Sequence, residues 1–255
     1  MSRILITGAS RGIGRVIAEE LAAKGQEVIA TARDASMLAD LPAAARLQLD
    51  VTDESSVSAA VAAAGPIDAL VSNAGATVRA PMETVPVAEV QRLFDLNTFG
   101  ALRVAQAVLP GMRARGTGKL IFISSIQGRI AIPLIGPYAA SKWALEAIAE
   151  TLAIEAAHFG ISVHLLEPGA VSSGGTERAK VFLDDGNPYR PLLDQMQGFR
   201  SDPVTVQEVA GAVASAVEDI HPPLRIPVGA PATSLLAARK AAPEDVPFLA
   251  GPLDW

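Results

Sequence analysis

Tyr138 and Lys142 stand four positions apart and form a pair that could exchange a proton with a substrate. Positions i and i+4 of a helix share one face, so the ammonium of Lys142 can lie beside the phenol of Tyr138. A free phenol has a pKa of about 10 and is a poor acid or base at neutral pH, but a nearby cation lowers that pKa. The spacing therefore indicates general acid–base chemistry on an alcohol or a ketone. A surface Tyr–Lys pair on an amphipathic helix is the alternative.

A glycine-rich turn from Thr7 to Gly14 follows the first apolar run of the chain. When such a turn joins a strand to a helix, its backbone N–H groups can approach a pyrophosphate at the helix N-terminus. A purely structural turn is the alternative, but the alternating strand and helix patterns that follow favour dinucleotide binding. The residues that we predict to hold the cofactor in this turn are Gly8, Ser10, Arg11, Gly12, Ile13 and Gly14.

The end of the second predicted strand bears on the choice between NAD and NADP. Many NAD sites place an acidic residue there to bind the ribose 2′-hydroxyl, whereas NADP sites use a cation for the 2′-phosphate. This chain has Arg33 at that point and no carboxylate until Asp34, and Arg11 in the glycine turn is a second cation. A guanidinium can donate two parallel hydrogen bonds to a phosphate. We therefore predict that NADP(H) is preferred over NAD(H); two solvated surface arginines are the alternative.

Strand-like runs alternate with longer helical patterns, which predicts βαβ units and a parallel sheet. At 255 residues, the chain suits one α/β domain over residues 1–255. We predict a Rossmann fold, a doubly wound parallel sheet of about seven strands with helices on both faces. The predicted strands are Ile4–Thr7, Glu27–Thr31, Arg46–Leu49, Ile67–Val71, Leu120–Ser124, Ile161–Leu166 and Leu224–Val228. The predicted helices are Gly12–Lys24, a short one capped by Asp34, Asp53–Ala64, Val87–Arg113, one carrying Tyr138 as far as Ala157, and one opening at Thr205–Glu208.

The stretch from Ser173 to Pro203 lacks periodicity. A long irregular insert in a compact domain is usually a functional lid or a disordered segment. We predict that residues 174–204 form a lid over the substrate, and the proline-rich tail after Gly229 is ambiguous.

The bulk composition argues against several classes of partner. The formal net charge is -6 without a basic run, so nucleic acid and anionic membranes are unfavourable partners. Each apolar run is too short for a membrane span, and the N-terminus does not resemble a signal peptide. The absence of cysteine excludes disulfides, thiol catalysis and thiolate metal sites, and no metal site is predicted. A reducing cytoplasm is compatible with this composition and is the predicted location.

Together these motifs resemble the short-chain dehydrogenase/reductase family over about Ile4–Val171. The glycine turn matches the family's T-G-x-x-x-G-x-G, and Asn73-Ala74-Gly75 matches its N-N-A-G except that Ser72 replaces the first Asn. The other matches are Asn97 in the long fourth helix, Ser125 thirteen residues before Tyr138, the pair Tyr138 and Lys142 themselves, and the break at Pro168-Gly169.

The resemblance implies a catalytic tetrad of Asn97, Ser125, Tyr138 and Lys142. Tyr138 would exchange the proton, Ser125 would hold the substrate oxygen, and Lys142 would bind the nicotinamide ribose and depress the pKa of Tyr138. Asn97 would support a water that links Lys142 to solvent. The further cofactor contacts that the resemblance implies are Asp50, Val51, Asn73, Ala74, Gly75, Pro168, Gly169, Val171 and Ser173, the last where the family often has Thr.

The substrate is expected to be a small carbonyl compound or alcohol, bordered by residues 77–82 and 127–133. Its predicted apolar walls are Val78, Met82, Ile130 and Ile132, and Arg129 is either an anion contact or part of a solvent-facing or interface salt bridge. The last predicted strand resembles that of reductases related to hydroxysteroid dehydrogenases, without identifying steroid as the substrate. The family implies a homodimer or homotetramer.

Three functions fit these residues. The favoured one is an NADPH-dependent carbonyl reductase or alcohol dehydrogenase, because Tyr138 and Lys142 are both present. A cofactor-binding regulatory or sensor protein of the same fold, and a dehydratase or isomerase variant, are the alternatives.

Overall fold

Seven parallel strands form the central sheet of the computed structural model, which describes residues 1–172, 179–183, 186–198 and 203–248. In chain order the strands are β1 (Arg3–Ile6), β2 (Glu27–Ala32), β3 (Ala45–Gln48), β4 (Ala69–Ser72), β5 (Val78–Arg79), β6 (Gly118–Ile123), β7 (Ile161–Pro168), β8 (Lys180–Val181) and β9 (Arg225–Val228). The sheet has the order β3-β2-β1-β4-β6-β7-β9, and β5 pairs separately with β8. The order changes direction between β1 and β4, and a crevice at such a switch point is where open α/β sheets bind ligands.

Helices cover both faces of this sheet. They are α1 (Gly12–Ala23), α2 (Glu54–Ala64), α3 (Val87–Phe94), α4 (Gly100–Arg115), α5 (Gly136–Ala157), α6 (Arg190–Gly198), α7 (Val206–Glu218) and α8 (Ala230–Ala241). Short 3-10 helices span Ala35–Leu38 and Ile126–Gly128, and a π-helical turn spans Asp95–Phe99. Within the described ranges, no helix combines the length and the apolar character needed to cross a bilayer.

The core consists of two layers because successive side chains of a strand point to opposite faces. In β1, Ile4 and Ile6 are buried in a cluster with residues of α1 and α7. Leu5, between them, is buried in a second cluster with residues of α2, α4 and α5. Strands that are covered on both faces read as continuous apolar runs, as β1 does. The predicted fold class, a doubly wound parallel α/β sheet with helices on both faces, is confirmed.

Side-chain caps define several helix ends. Asp53 accepts hydrogen bonds from the backbone N–H groups of Ser55 (2.8 Å) and Ser56 (3.2 Å) at the start of α2. The predicted capping box of α7 is present, since Thr205 accepts from the N–H of Glu208 at 3.1 Å and Glu208 accepts from the N–H of Thr205 at 2.7 Å. These caps satisfy donors that the helix itself leaves unpaired.

All seven predicted strands are present, with ends shifted by one or two residues, but other elements differ from prediction. The continuous helix predicted over Val87–Arg113 is interrupted by the π-helical turn. The segment predicted to be irregular contains β8 and α6, and the ambiguous tail contains α8. The turn, the short strand β5 and α6 depend on contacts with distant residues, which periodicity along the chain does not report.

Candidate active site

A cavity of about 650 Å³ opens at the edge of the sheet where the parallel strands end. Among the described residues predicted to bind cofactor or to act in catalysis, Asn97 alone does not line it. The cavity therefore joins the glycine turn to the Tyr–Lys pair, and Ser173 lies outside the described residues. The predicted residues that line it are Gly8, Ser10, Arg11, Gly12, Ile13, Gly14, Arg33, Asp50, Val51, Asn73, Ala74, Gly75, Ser125, Tyr138, Lys142, Pro168, Gly169 and Val171.

The glycine turn is packed too closely for larger residues. A Cβ atom added to Gly14 would collide with the side-chain amide of Asn73 and the carbonyl of Gly8. Gly8 also has a φ of +69°, in the region that favours glycine. The side-chain amide of Asn73 donates to the carbonyl oxygens of Thr7 (2.9 Å) and Gly8 (3.2 Å). Asn73 thus braces the turn against the end of β4.

The first residues of α1 line the cavity, and no side chain caps that helix. Arg11 occupies the N-cap position and makes no capping hydrogen bond with its side chain. The first N–H groups of a helix lack partners within the helix and carry partial positive charge. The close backbone approach at Gly14 and the uncapped helix end together fit the pyrophosphate of a dinucleotide.

Two arginines lie at the end of the cavity that follows β2. Arg11 and Arg33 both line it and are exposed, and neither has an ion pair within the described ranges. Asp34 does not line the cavity; its carboxylate accepts from the hydroxyl of Ser36 at 2.7 Å and from the N–H of Ser36 at 3.0 Å. The hydroxyl bond is the main reason why the pKa of Asp34 is lowered. The first carboxylate after β2 is thus occupied in capping a 3-10 helix.

Ser125, Tyr138 and Lys142 meet at the opposite part of the cavity. Tyr138 and Lys142 lie one turn apart on α5, and the hydroxyl of Ser125 lies close enough to the phenol of Tyr138 to lower its pKa. Ser125 also accepts a hydrogen bond from the backbone N–H of Gln127 at 3.2 Å, which fixes its side chain at the start of the 3-10 helix. The ammonium of Lys142 donates to the carbonyl oxygen of Ile123 at 2.8 Å. The predicted spacing therefore does bring these side chains into one site.

The pKa of Tyr138 corrects one expectation. Burial raises the pKa of Tyr138 to about 12, and the hydrogen bond with Ser125 opposes that shift. The Lys142 Nζ lies 5.7 Å from the centre of the Tyr138 ring and is bonded to a backbone carbonyl. Burial also lowers the pKa of Lys142 to about 8, with the charge of Glu146 acting in the opposite direction. The pKa of Tyr138 is thus shifted in the direction opposite to the one that we expected, because burial of the phenol has the largest effect.

Asn97 is buried in the π-helical turn and acts as a clamp between segments. Its side-chain oxygen accepts from the N–H of Ala76 at 2.9 Å. Its amide nitrogen donates to the carbonyl of Ala76 at 2.9 Å and to the hydroxyl of Ser141 at 3.0 Å. The side chain therefore ties the segment after Gly75 to α5, where Tyr138 and Lys142 lie. The polar atoms of this side chain are all engaged with protein groups.

The walls on the substrate side differ from prediction. Of the four predicted apolar residues, Ile132 lines the cavity. Val78 and Ile130 are fully buried in the core, and Met82 is 62% exposed outside the cavity. Arg129 donates to the carboxylate of Glu167 at 3.2 Å, so it forms a salt bridge, but with a buried partner and not at the solvent-facing or interface position that we considered. The sequence does not show which side chains of a short loop point into the cavity, so these predictions of the wall residues were largely wrong.

Several lining residues were not predicted. They come from the carboxyl ends of the strands and the residues just after them, from α3 and the π-helical turn, and from the segment before α5. Thr77, Arg79, Gln127, Ile132 and Pro133 come from the two expected borders, and Leu193 comes from the expected lid. The lining residues that were not predicted are Ala32, Leu49, Ala76, Arg92, Leu96, Ile123, Ser124, Leu134, Ile135 and Ala170.

Residues of the predicted lid cover part of this cavity. Leu193 of α6 lines it and packs with Leu183 and Leu134. The hydroxyl of Tyr189 donates to the carboxylate of Glu83 at 2.5 Å, and β8 pairs with β5. Leu134 has a φ of +65°, unusual for a residue with a side chain, and its carbonyl accepts from Ala80 at 2.7 Å. Residues 173–178, 184–185 and 199–202 of the predicted lid region lie outside the described residues.

Known proteins resemble this chain in sequence and in fold. Residues 2–181 match the family model described as short chain dehydrogenase. Human 17-beta-hydroxysteroid dehydrogenase type 1 is 35% identical over 87% of this chain and 76% of its own length. A short-chain dehydrogenase from Streptomyces avermitilis has a TM-score of 0.84 at 36% identity, covering 93% of this chain and 91% of that one. One from Burkholderia cenocepacia J2315, in complex with NADP, has a TM-score of 0.78 at 26% identity, with 94% of both chains covered. The chain therefore belongs to the short-chain dehydrogenase family, whose members are NAD(P)-dependent oxidoreductases of CH–OH and C=O groups.

Proposed function

We propose that this protein reduces a carbonyl group, or oxidises the corresponding secondary alcohol, with NADP(H) as cofactor and Tyr138 as general acid and base. The observation that carries the proposal is that Ser125, Tyr138 and Lys142 line the same cavity as the glycine turn. A proton donor and a phosphate cradle in one cavity are what reversible hydride transfer to a carbonyl requires.

The side chains fit the reductive direction at neutral pH. With a pKa of about 12, Tyr138 is protonated and can donate its proton to a carbonyl oxygen. Ser125 can donate a second hydrogen bond to that oxygen as negative charge develops on it. Bound NADPH would supply the hydride for the carbonyl carbon. In oxidation Tyr138 must first lose its proton, so we infer that the alcohol reaction speeds up with rising pH.

Lys142 and Asn97 have supporting parts in this proposal. The ammonium of Lys142 donates one hydrogen bond to the carbonyl of Ile123, so two of its N–H groups remain for the ribose hydroxyls. Asn97 positions the segment beside the cofactor through Ala76 and Ser141, and both N–H donors of its side-chain amide are used in these bonds. We therefore propose a positioning role for the Asn97 side chain.

The preference for NADP(H) is supported by charge at one end of the cavity. Arg11 and Arg33 are exposed there without ion-pair partners in the described part of the chain, and Asp34 is committed to Ser36. A ribose 2′-phosphate would meet two guanidinium groups and no free carboxylate at that turn. The NADP complex of the Burkholderia relative agrees with this choice of cofactor.

The test is the absorbance of NADPH and NADH, followed against a panel of ketones and aldehydes. We expect Tyr138→Phe to bind NADPH as the wild type does and to lose roughly 100-fold or more of its turnover, the usual contribution of a general acid. The control is Thr233→Val, which removes an exposed hydroxyl of α8 outside the cavity and should keep its turnover. Full activity of Tyr138→Phe would remove the phenol from the mechanism. Tight NADPH binding without turnover of any carbonyl would favour the sensor or the dehydratase and isomerase alternatives.

We also propose that the chain forms a homo-oligomer through α5 and the neighbouring π-helical turn. Large apolar side chains are exposed there, namely Phe99 (48%), Trp143 (46%) and Ile154 (75%). Apolar surface of this kind marks protein–protein contacts when it is clustered on neighbouring elements.

A further inference from the structure

A buried cluster of charged side chains lies directly behind the catalytic part of the cavity. Glu146 and Glu167 are 4% and 1% exposed, and both are approached by guanidinium groups. Arg225 donates to Glu146 at 2.9 Å and to the half-exposed Glu150 at 2.7 Å. Arg129 donates to Glu167 at 3.2 Å. Charges at this depth must be paired, because removing a charge from water costs several kcal/mol when it is uncompensated.

Glu146 lies one helical turn beyond Lys142 on the same face of α5, and both side chains are buried. Within the described ranges, Lys142 has one hydrogen-bond partner, the neutral carbonyl of Ile123. The negative charge that favours its ammonium form is that of Glu146. The other groups that face this region are Tyr138 and Glu150 on α5, Glu167 on β7, Arg129 after the 3-10 helix and Arg225 on β9.

Glu146 also packs against the turn that carries Ser125. A Cβ atom placed on Gly128 would lie 2.8 Å from Cγ and 3.2 Å from Oε1 of Glu146, so the carboxylate rests on the backbone of the 3-10 helix. Oε1 is buried and has no hydrogen-bond partner in the described structure, and neither does the hydroxyl of Ser124, 3.0 Å from the same point. The carboxylate of Glu146 is therefore buried against this turn, with Arg225 as the partner of its other oxygen.

We propose that Glu146 is a positioning residue that acts through Lys142, keeping the lysine protonated at neutral pH so that it can donate to the cofactor. The inference rests on the proposed function, because it assigns Lys142 the role of ribose donor. Arg225 moderates the effect, since it is shared between Glu146 and Glu150. Glu150 has the same partner but is 52% exposed, so its charge is screened by water and matters less to Lys142.

Nuclear magnetic resonance can follow this lysine directly, because the chain contains five lysines: Lys24, Lys119, Lys142, Lys180 and Lys240. Protein labelled with ¹³C at lysine Cε is titrated with pH, and Lys142→Met identifies the Lys142 signal. We expect Glu146→Gln to lower the midpoint of Lys142 by about one pH unit or more, the effect of losing a close opposite charge. Glu150→Gln, the matched control, should leave that midpoint unchanged. An unshifted Lys142 in Glu146→Gln, or an equal shift in both variants, would overturn the proposal.

Arg225→Gln gives a second measurement with the opposite sign, and it serves if Glu146→Gln does not fold. Without Arg225, the charge of Glu146 is no longer offset, so the midpoint of Lys142 should rise. A midpoint that stays in place or falls would contradict the role of Glu146.

The affinity for NADPH, measured by fluorescence over the same pH range, connects the lysine to cofactor binding. We expect binding to weaken above the midpoint of Lys142, and Glu146→Gln to move that loss to lower pH by the same interval. If the affinity for NADPH does not change around the midpoint of Lys142 in either protein, the proposed role of Lys142 in binding the cofactor is wrong. Failure of the wild type to bind any nicotinamide cofactor would instead overturn the proposed function, while the lysine titration would still test the pairing with Glu146.

Discussion

At the scale of single residues, the position of Tyr138 follows from its spacing along the helix, whereas its pKa follows from its surroundings in the fold. The four-residue interval to Lys142 places both side chains in one site, as helix geometry requires. The direction of the pKa shift of Tyr138 depends on the burial of the phenol, with Ser125 acting in the opposite direction. Burial depends on the tertiary structure and not on the local spacing, so the position of the acid was predictable and its acidity was not.

Arg33 carries the residue-scale prediction on cofactor choice. It is an exposed cation beside the cavity, with no ion pair to release within the described ranges, so Arg33→Asp should leave the fold unchanged. An acidic residue there repels a 2′-phosphate and can accept from a 2′-hydroxyl. We expect the ratio of kcat/KM for NADPH to that for NADH to fall at least tenfold. Lys240→Asp, at an exposed cation of α8 outside the cavity, is the control, and an unchanged ratio in Arg33→Asp would show that the phosphate is bound elsewhere.

At the scale of elements, the helices and strands with a regular sequence pattern could be predicted, and the irregular segments could not. The strand β1 is a continuous apolar run, and the cap at Thr205 and Glu208 is a local pattern, so both were predicted from sequence. The π-helical turn around Asn97 instead reflects bonds to Ala76 and Ser141, which lie 21 and 44 residues away. The helix α6 likewise packs on Leu134 through Leu193. Long-range contacts of this kind override local propensity.

The attachment of α6 gives an element-scale prediction. The hydroxyl of Tyr189 donates to Glu83 at 2.5 Å and joins the cover of the cavity to the segment after β5. A hydrogen bond of this kind contributes about 1 kcal/mol, so Tyr189→Phe should speed amide hydrogen exchange in α6 roughly fivefold. Exchange in α7, which does not contact Tyr189, should be unchanged. Equal exchange rates in α6 of variant and wild type would show that the bond does not hold the cover.

At the scale of the whole molecule, the exposed face of α5 is the feature with the widest consequence. Ile154 is 75% exposed on that helix, and Ile220, after α7, is 83% exposed on another part of the surface. If α5 is an interface, a charge at Ile154 must be desolvated on assembly, which is unfavourable. We expect light scattering to give a multiple of 26.4 kDa for the wild type and a smaller mass for Ile154→Glu. Ile220→Glu should keep the wild-type mass, and a wild type that runs as one chain would refute the interface.

Leu134 shows what the cavity wall demands of the backbone. A leucine held at a φ of +65° gives up conformational energy that a glycine would keep, on the order of 1 kcal/mol. Its side chain packs against Leu183 and Leu193. A change to glycine would therefore remove the backbone strain but also remove this packing, and the two effects on stability oppose each other. The cavity wall at Leu134 therefore combines a strained backbone with a well-packed side chain. Neither a smaller nor a larger residue at this position would give both an unstrained backbone and the same packing.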